Sequence, residues 1–108
     1  MIETSSCVIV LTTFPAGADA DALARTLVDE RLAACVNVLA PMESIYRWEG
    51  TVEQATERQI IVKTTTARVE ALKTRLNDLH PYDVPELIVL TISDGSASYL
   101  NWLHRSVE

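Results

Sequence analysis

The stretch that decides the fold is ACVNVLAPMESIYRWEGTVEQATERQIIVKTT, residues 34–65. Two runs rich in β-branched and aromatic residues flank Glu49-Gly50-Thr51, a turn signal, so the stretch predicts a β-hairpin. Pro41 interrupts the first arm. Proline has no N–H to give to a ladder, which predicts a bulge or an edge position there. Each arm runs about 15 residues, on the order of 50 Å at the usual strand rise. A globule of this chain length has a diameter of only about 35 Å. The hairpin therefore predicts an overhang, and its far end carries Ile45, Tyr46, Trp48 and Val52. A protruding ribbon with apolar side chains needs a neighbour, so the sequence predicts a homo-oligomer. The opposing possibility is a hairpin that breaks at Pro41 and folds back.

Outward from the hairpin, the hydrophobic period changes in both directions. Upstream, CVIVLTTF (residues 7–14) is a short strand stopped by Pro15-Ala16-Gly17. Asp19 or Asp21 can cap the helix that follows, with Leu23, Leu27, Val28 and Leu32 on one face, to about Ala33. Downstream, Val69, Leu72, Leu76 and Leu79 recur at helical spacing. His80-Pro81 ends that helix, because a residue before proline avoids the helical region. ELIVLTIS (residues 86–93) is a fourth strand, and Ser96 or Ser98 caps a short C-terminal helix.

The order β-α-β-β-α-β plus a final helix is the split βαβ, ferredoxin-like α+β arrangement in one domain. It places both central helices on one face of an antiparallel sheet, with strand order 4-1-3-2.

A net charge of −6 over 108 residues speaks against nucleic acid as a partner. No run is long and apolar enough to span a membrane, and the first residues lack the basic n-region of a secretory signal, so the reading is cytoplasmic. Cys7 and Cys35 sit in apolar runs without a C-x-x-C pattern and read as buried free thiols. There is no glycine-rich phosphate loop.

ERLAACVNVL (30–39), SIYRWEGTVEQ (44–54), IVKTT (61–65), HPYDVPELIVL (80–90) and YLNWL (99–103) occur in that order. Together they resemble the CutA divalent-cation-tolerance family over nearly the whole chain. The resemblance implies a PII-like homotrimer without an established catalytic reaction, linked to copper and other divalent cations. Of the soft or borderline ligands that metal-binding members can carry, only His80 matches; Thr12 and Leu79 stand at the other two positions.

His80 is thus the candidate ligand for copper(II) or another divalent cation, because neutral imidazole suits both copper(II) and zinc. Its other reading is a helix C-terminal residue that favours the dipole. His104 reads as a solvated surface residue. Asp83 and Glu86 read as turn chemistry, with Glu86 available to Lys63 or a backbone donor. Tyr46, Trp48 and Glu49 mark the hairpin tip and suit a subunit interface. Trp48, Lys63, Tyr82 and Glu86 could instead line a small-molecule pocket at a subunit junction. Three function classes follow: a trimer that responds to divalent cations, a PII-like sensor of a small molecule or nucleotide, and a structural scaffold for other proteins.

Overall fold

A computed structural model describes residues 6–108; the first residues, on which the secretory-signal reading rests, lie outside these. The chain runs β1 (Cys7–Pro15), α1 (Ala20–Asp29), β2 (Cys35–Trp48), β3 (Thr51–Thr65), a 3-10 turn (Thr66–Arg68), α2 (Val69–Leu79), β4 (Ile88–Thr91) and α3 (Ala97–Ser106). The four strands form one sheet in the order β2-β3-β1-β4, the predicted order read from the other edge. All three pairings are antiparallel.

The hairpin does not fold back at Pro41. Trp48 pairs with Thr51, and the two residues between them have positive φ, Glu49 at 50° and Gly50 at 81°. Two successive left-handed residues suit the right-handed twist of the arms, and glycine adopts the second at no steric cost. The molecule is correspondingly elongated, 48 × 25 × 24 Å.

Proline does leave a mark. Val38 pairs with Ile60 but Pro41 with Arg58, so three steps on β2 match two on β3. The extra residue is a bulge on an edge strand, where the missing N–H costs no ladder bond.

Strand alternation gives the sheet two unlike faces. Val8, Val10 and Phe14 of β1 and Ile60 and Val62 of β3 are buried against Leu23 and Leu27 of α1 and Leu72 and Leu76 of α2. This is the main core. On the opposite face, Cys7 packs with Ala34, Leu100, Leu103 and Val107, so α3 covers only one end. Arg68 Nε donates to the Val107 carbonyl at 2.6 Å and pins the end of α3. Arg75 binds both oxygens of Glu30 at 2.9 and 2.8 Å, joining α2 to the end of α1.

Four boundaries differ from, or sharpen, the sequence reading. Asp19, not Asp21, caps α1, accepting from the Ala22 N–H at 3.0 Å. That helix stops at Asp29 rather than near Ala33. Arg31 takes a left-handed φ of 59°, and the N–H groups of Leu32 and Ala33 both donate to the Leu27 carbonyl. Leu32 and Ala33 stay buried, so the core contact persists on a turn. β4 is shorter than residues 86–93, because its partner is β1 over Val8–Leu11 alone. Ser96 caps α3, accepting from the Tyr99 N–H. Among the described residues no helix is long and apolar enough to cross a membrane.

Candidate functional site

The face that α3 leaves open carries a cleft of about 610 Å³. Its floor follows from alternation: Thr13 of β1 pairs with Gln59 of β3, and Glu57 pairs with Met42 of β2. The bulge sets its far wall. Along β2 the residues on this face begin at Cys35 and Asn37, opposite Lys63 and Ile61. One inserted residue shifts the side-chain parity, so beyond it Met42, Ser44, Tyr46 and Trp48 face the same way. The α2–β4 connector closes the cleft with Pro81, Tyr82, Asp83, Val84 and Glu86.

Hydrogen bonds fix the polar groups. The Tyr82 hydroxyl donates to Glu57 Oε2 at 2.8 Å. Glu57 is nearly buried at 7% exposure, so this bond satisfies a carboxylate that water scarcely reaches. Burial, then the bond to Glu57 and its charge, raise the Tyr82 phenol well above its ordinary pKa, and the nearby Tyr46 adds to the shift. Gln59 Nε2 bridges the Thr12 carbonyl at 2.7 Å and Glu86 Oε2 at 3.0 Å. Glu86 thus accepts from Gln59, not from Lys63.

His80 holds the connector in place. Its ring lies 2.6 Å through Nε2 from the Thr13 carbonyl, and Nδ1 accepts the Tyr82 N–H at 3.2 Å. A carbonyl can only accept, so the proton sits on Nε2 and the ring is the neutral tautomer. The ring also meets Phe14 edge-on at 5.0 Å and Tyr82 at 4.9 Å. In this arrangement no ring nitrogen has a lone pair to spare, and a metal at His80 has to displace the Tyr82 N–H. Leu79 packs against the main core, and Thr12 is buried with its hydroxyl unpartnered among the described residues. Among the described residues no three of His, Cys, Asp and Glu converge as metal ligands. The geometry therefore does not fit a resident copper ion.

The remaining sequence candidates scatter. Lys63 lies on the open face but toward α3, with Nζ 5.9 Å over the Tyr99 ring, and does not line the cleft. Glu49 is spent on the turn. Cys7 is buried and Cys35 half-buried, both as free thiols. Cys7 and Thr12 point to opposite faces, as period-2 spacing requires. His104 is partly exposed beside Glu108, 3.3 Å away. Of the expected pocket residues, the structure brings together Trp48, Tyr82 and Glu86, and Tyr46, expected at a subunit interface, lines the same cleft. The sequence reading missed Glu57, Gln59 and Met42. The available signal was their alternate placement: counted back from the Trp48–Thr51 turn pair, Met42 falls opposite Glu57 on the face that also carries Tyr46 and Trp48, with Gln59 two residues further along β3.

A family model described as CutA1 divalent ion tolerance protein matches residues 8–106. The chain is 47% identical over 100 residues to the divalent-cation tolerance protein CutA of Pectobacterium atrosepticum, covering 93% of this chain and 91% of that one. The CutA protein of Thermus thermophilus is likewise 47% identical over 98 residues, 91% and 95% of the two chains. The solved Thermus thermophilus structure superposes with a TM-score of 0.90 at 45% identity, covering 94% of this chain and 99% of the other. A PII-like protein CutA from Nostoc superposes at 0.86 with 34% identity, covering 94% and 97%.

Proposed function

The chain belongs to the CutA1 divalent ion tolerance family, and on that premise we propose that it is a non-enzymatic homotrimer that serves the response to divalent cations by binding a small ligand in the cleft. The observation that carries this reading is the cleft itself. About 610 Å³, with aromatic walls and oriented polar groups, is the size and make-up of a small-molecule site. The PII-like relative supports a sensing role over a catalytic one. Two of the polar groups suit holding rather than proton transfer: His80 is committed to backbone groups, and the Tyr82 phenol is held in its neutral form.

The trimer is supported by what the single chain leaves uncovered. Ile45 is 71% exposed and Val52 61% at the overhanging end, and Ile88, Val89 and Leu90 of the β4 edge are exposed too. Both are surfaces that a second copy would cover. Light scattering at micromolar concentration tests this, and a mass equal to one chain overturns it. The free thiols suit a reducing cytoplasm.

For copper(II) the expectation is narrower, since coordination at His80 competes with the Tyr82 N–H. Copper(II) titrated into wild type and His80→Ala, followed by the visible absorption band, decides the point. Equal binding removes His80 from the metal chemistry; a band lost only in the variant restores it. The ligand-seat reading is tested by thermal-shift screening of small metabolites and nucleotides. A ligand that raises the melting temperature of wild type but not of Tyr82→Ala supports it, and none that does so overturns it.

A further inference from the structure

We propose that the cleft takes an organic cation of the alkylated ammonium class, seated on the rings of Tyr46, Trp48 and Tyr82 in the field of Glu57, Asp83 and Glu86. This rests on the reading of the cleft as the ligand seat and adds the chemistry of the occupant.

Charge decides first. Three carboxylates line the cleft and no lysine, arginine or histidine does. The nearby cations point elsewhere: Lys63 lies over Tyr99, Arg58 donates to the Leu39 carbonyl, and Arg47 donates to the Gly50 carbonyl at the hairpin tip. A phosphate or carboxylate ligand would enter a site of like charge that no basic side chain among the described residues lines, on a chain already at −6. A cation is drawn in by the same field.

Size and spacing decide between an inorganic and an organic cation. A metal ion needs donors that converge within a coordination sphere, and among the described residues no such group of three exists. The cleft volume is instead that of a small organic molecule. Its carboxylates surround a space rather than a point.

Hydrogen bonding narrows the class further. Glu57 already accepts from the Tyr82 hydroxyl, and Glu86 from Gln59. These bonds hold the carboxylates in place without cancelling their charge. An ammonium bearing alkyl groups keeps its charge yet has few or no N–H donors to satisfy. It needs π faces and a negative field, which is how aromatic cages hold quaternary ammonium groups. Donation of the Tyr82 O–H to a carboxylate pushes electron density into the ring and strengthens its face as a cation site. Met42, Pro81 and Val84 supply apolar wall for the alkyl groups.

The test uses the intact oligomer and three probes: choline, its uncharged isostere 3,3-dimethyl-1-butanol, and inorganic phosphate. Binding is followed by calorimetry and by the indole resonance of Trp48, assigned with Trp48→Phe. The expected result is that choline binds and shifts that resonance. The isostere should bind about 10- to 30-fold more weakly, the range of a desolvated cation–π contact, and phosphate not at all. Glu86→Gln keeps the shape of the side chain and should weaken choline several-fold without affecting the isostere or the oligomer mass. Equal affinity for choline and the isostere, preference for phosphate, or no effect of Glu86→Gln on choline overturns the cation class and leaves the ligand seat standing. No probe moving the Trp48 resonance at millimolar concentration overturns the cation class, and the metabolite and nucleotide screen decides the ligand seat separately.

Discussion

Replacing His80 by alanine separates a structural pivot from a metal ligand. The ring is 9% exposed, bonded at both nitrogens and packed against Phe14 and Tyr82. Alanine leaves the Thr13 carbonyl without its donor, in a residue only 8% exposed. An unsatisfied buried acceptor of this kind costs about 1–3 kcal/mol. The Tyr82 N–H is nearer to water, so its loss adds about 0.5–1 kcal/mol. Lost ring packing adds on the order of 1 kcal/mol. The expected total is about 3 kcal/mol, and each kcal/mol lowers the melting temperature of a domain of this size by roughly 4–8 °C. A drop on the order of 15 °C should therefore appear in metal-free protein. The assay is a circular-dichroism melt with a strong chelator present, at fixed subunit concentration, because the apparent stability of an oligomer depends on concentration. His80→Phe refills most of the ring space and should recover the packing share but not the hydrogen-bond share. An unchanged melt in chelator, together with loss of copper(II) binding, would refute the reasoning and make His80 a ligand.

Other outcomes follow from single atoms. Thr12→Val removes a buried hydroxyl that has no partner among the described residues and should raise stability by about 1 kcal/mol; a clear loss in a denaturant titration would show that the hydroxyl has a partner. Gly50→Ala forces a side chain into φ +81° and should cost about 1–2 kcal/mol, whereas an unchanged unfolding midpoint would mean that the turn relaxes freely. Tyr82 has a raised folded pKa, so its contribution is complete below the ordinary phenol value of about 10 and is lost as pH climbs through the folded value. Ultraviolet titration should show an ionisation phase above the ordinary range that Tyr82→Phe deletes; its persistence in the variant would assign it to another group.

Much of the fold can be read along the chain because its signals are local. The hairpin shows in β-branched residues flanking Glu49-Gly50, and its length alone forces the overhang seen in the 48 Å axis. Leu72 and Leu76 mark the buried stripe of α2, with Leu79 packed half-buried beside it, and Pro81 marks its end. The end of α1 is less legible, since an arginine rather than a glycine takes the left-handed position after it. β4 is shorter than its apolar run because a strand extends only as far as its partner.

The site is legible by halves. Tyr46, Trp48, Tyr82 and Glu86 stand out as aromatic or charged residues near turns, and they do share a cleft. Lys63 looked equally apt, but it sits six residues along β3 from Glu57, roughly 20 Å at the strand rise. Pro41 announces a bulge, yet its consequence is three-dimensional: one extra residue lets Cys35 and Asn37 share a face with Met42, Tyr46 and Trp48.

By itself, then, the sequence determined the elements, their order and the two faces of the sheet, because hydrophobic period and turn chemistry act over a few residues. Only the tertiary structure decided the fate of His80 and the membership of the cleft. Those depend on contacts between residues 67 positions apart, such as His80 and the Thr13 carbonyl, and on which loop lies over which strand. No local pattern encodes which of two nitrogens is already bonded, and that detail separates a ligand from a pivot.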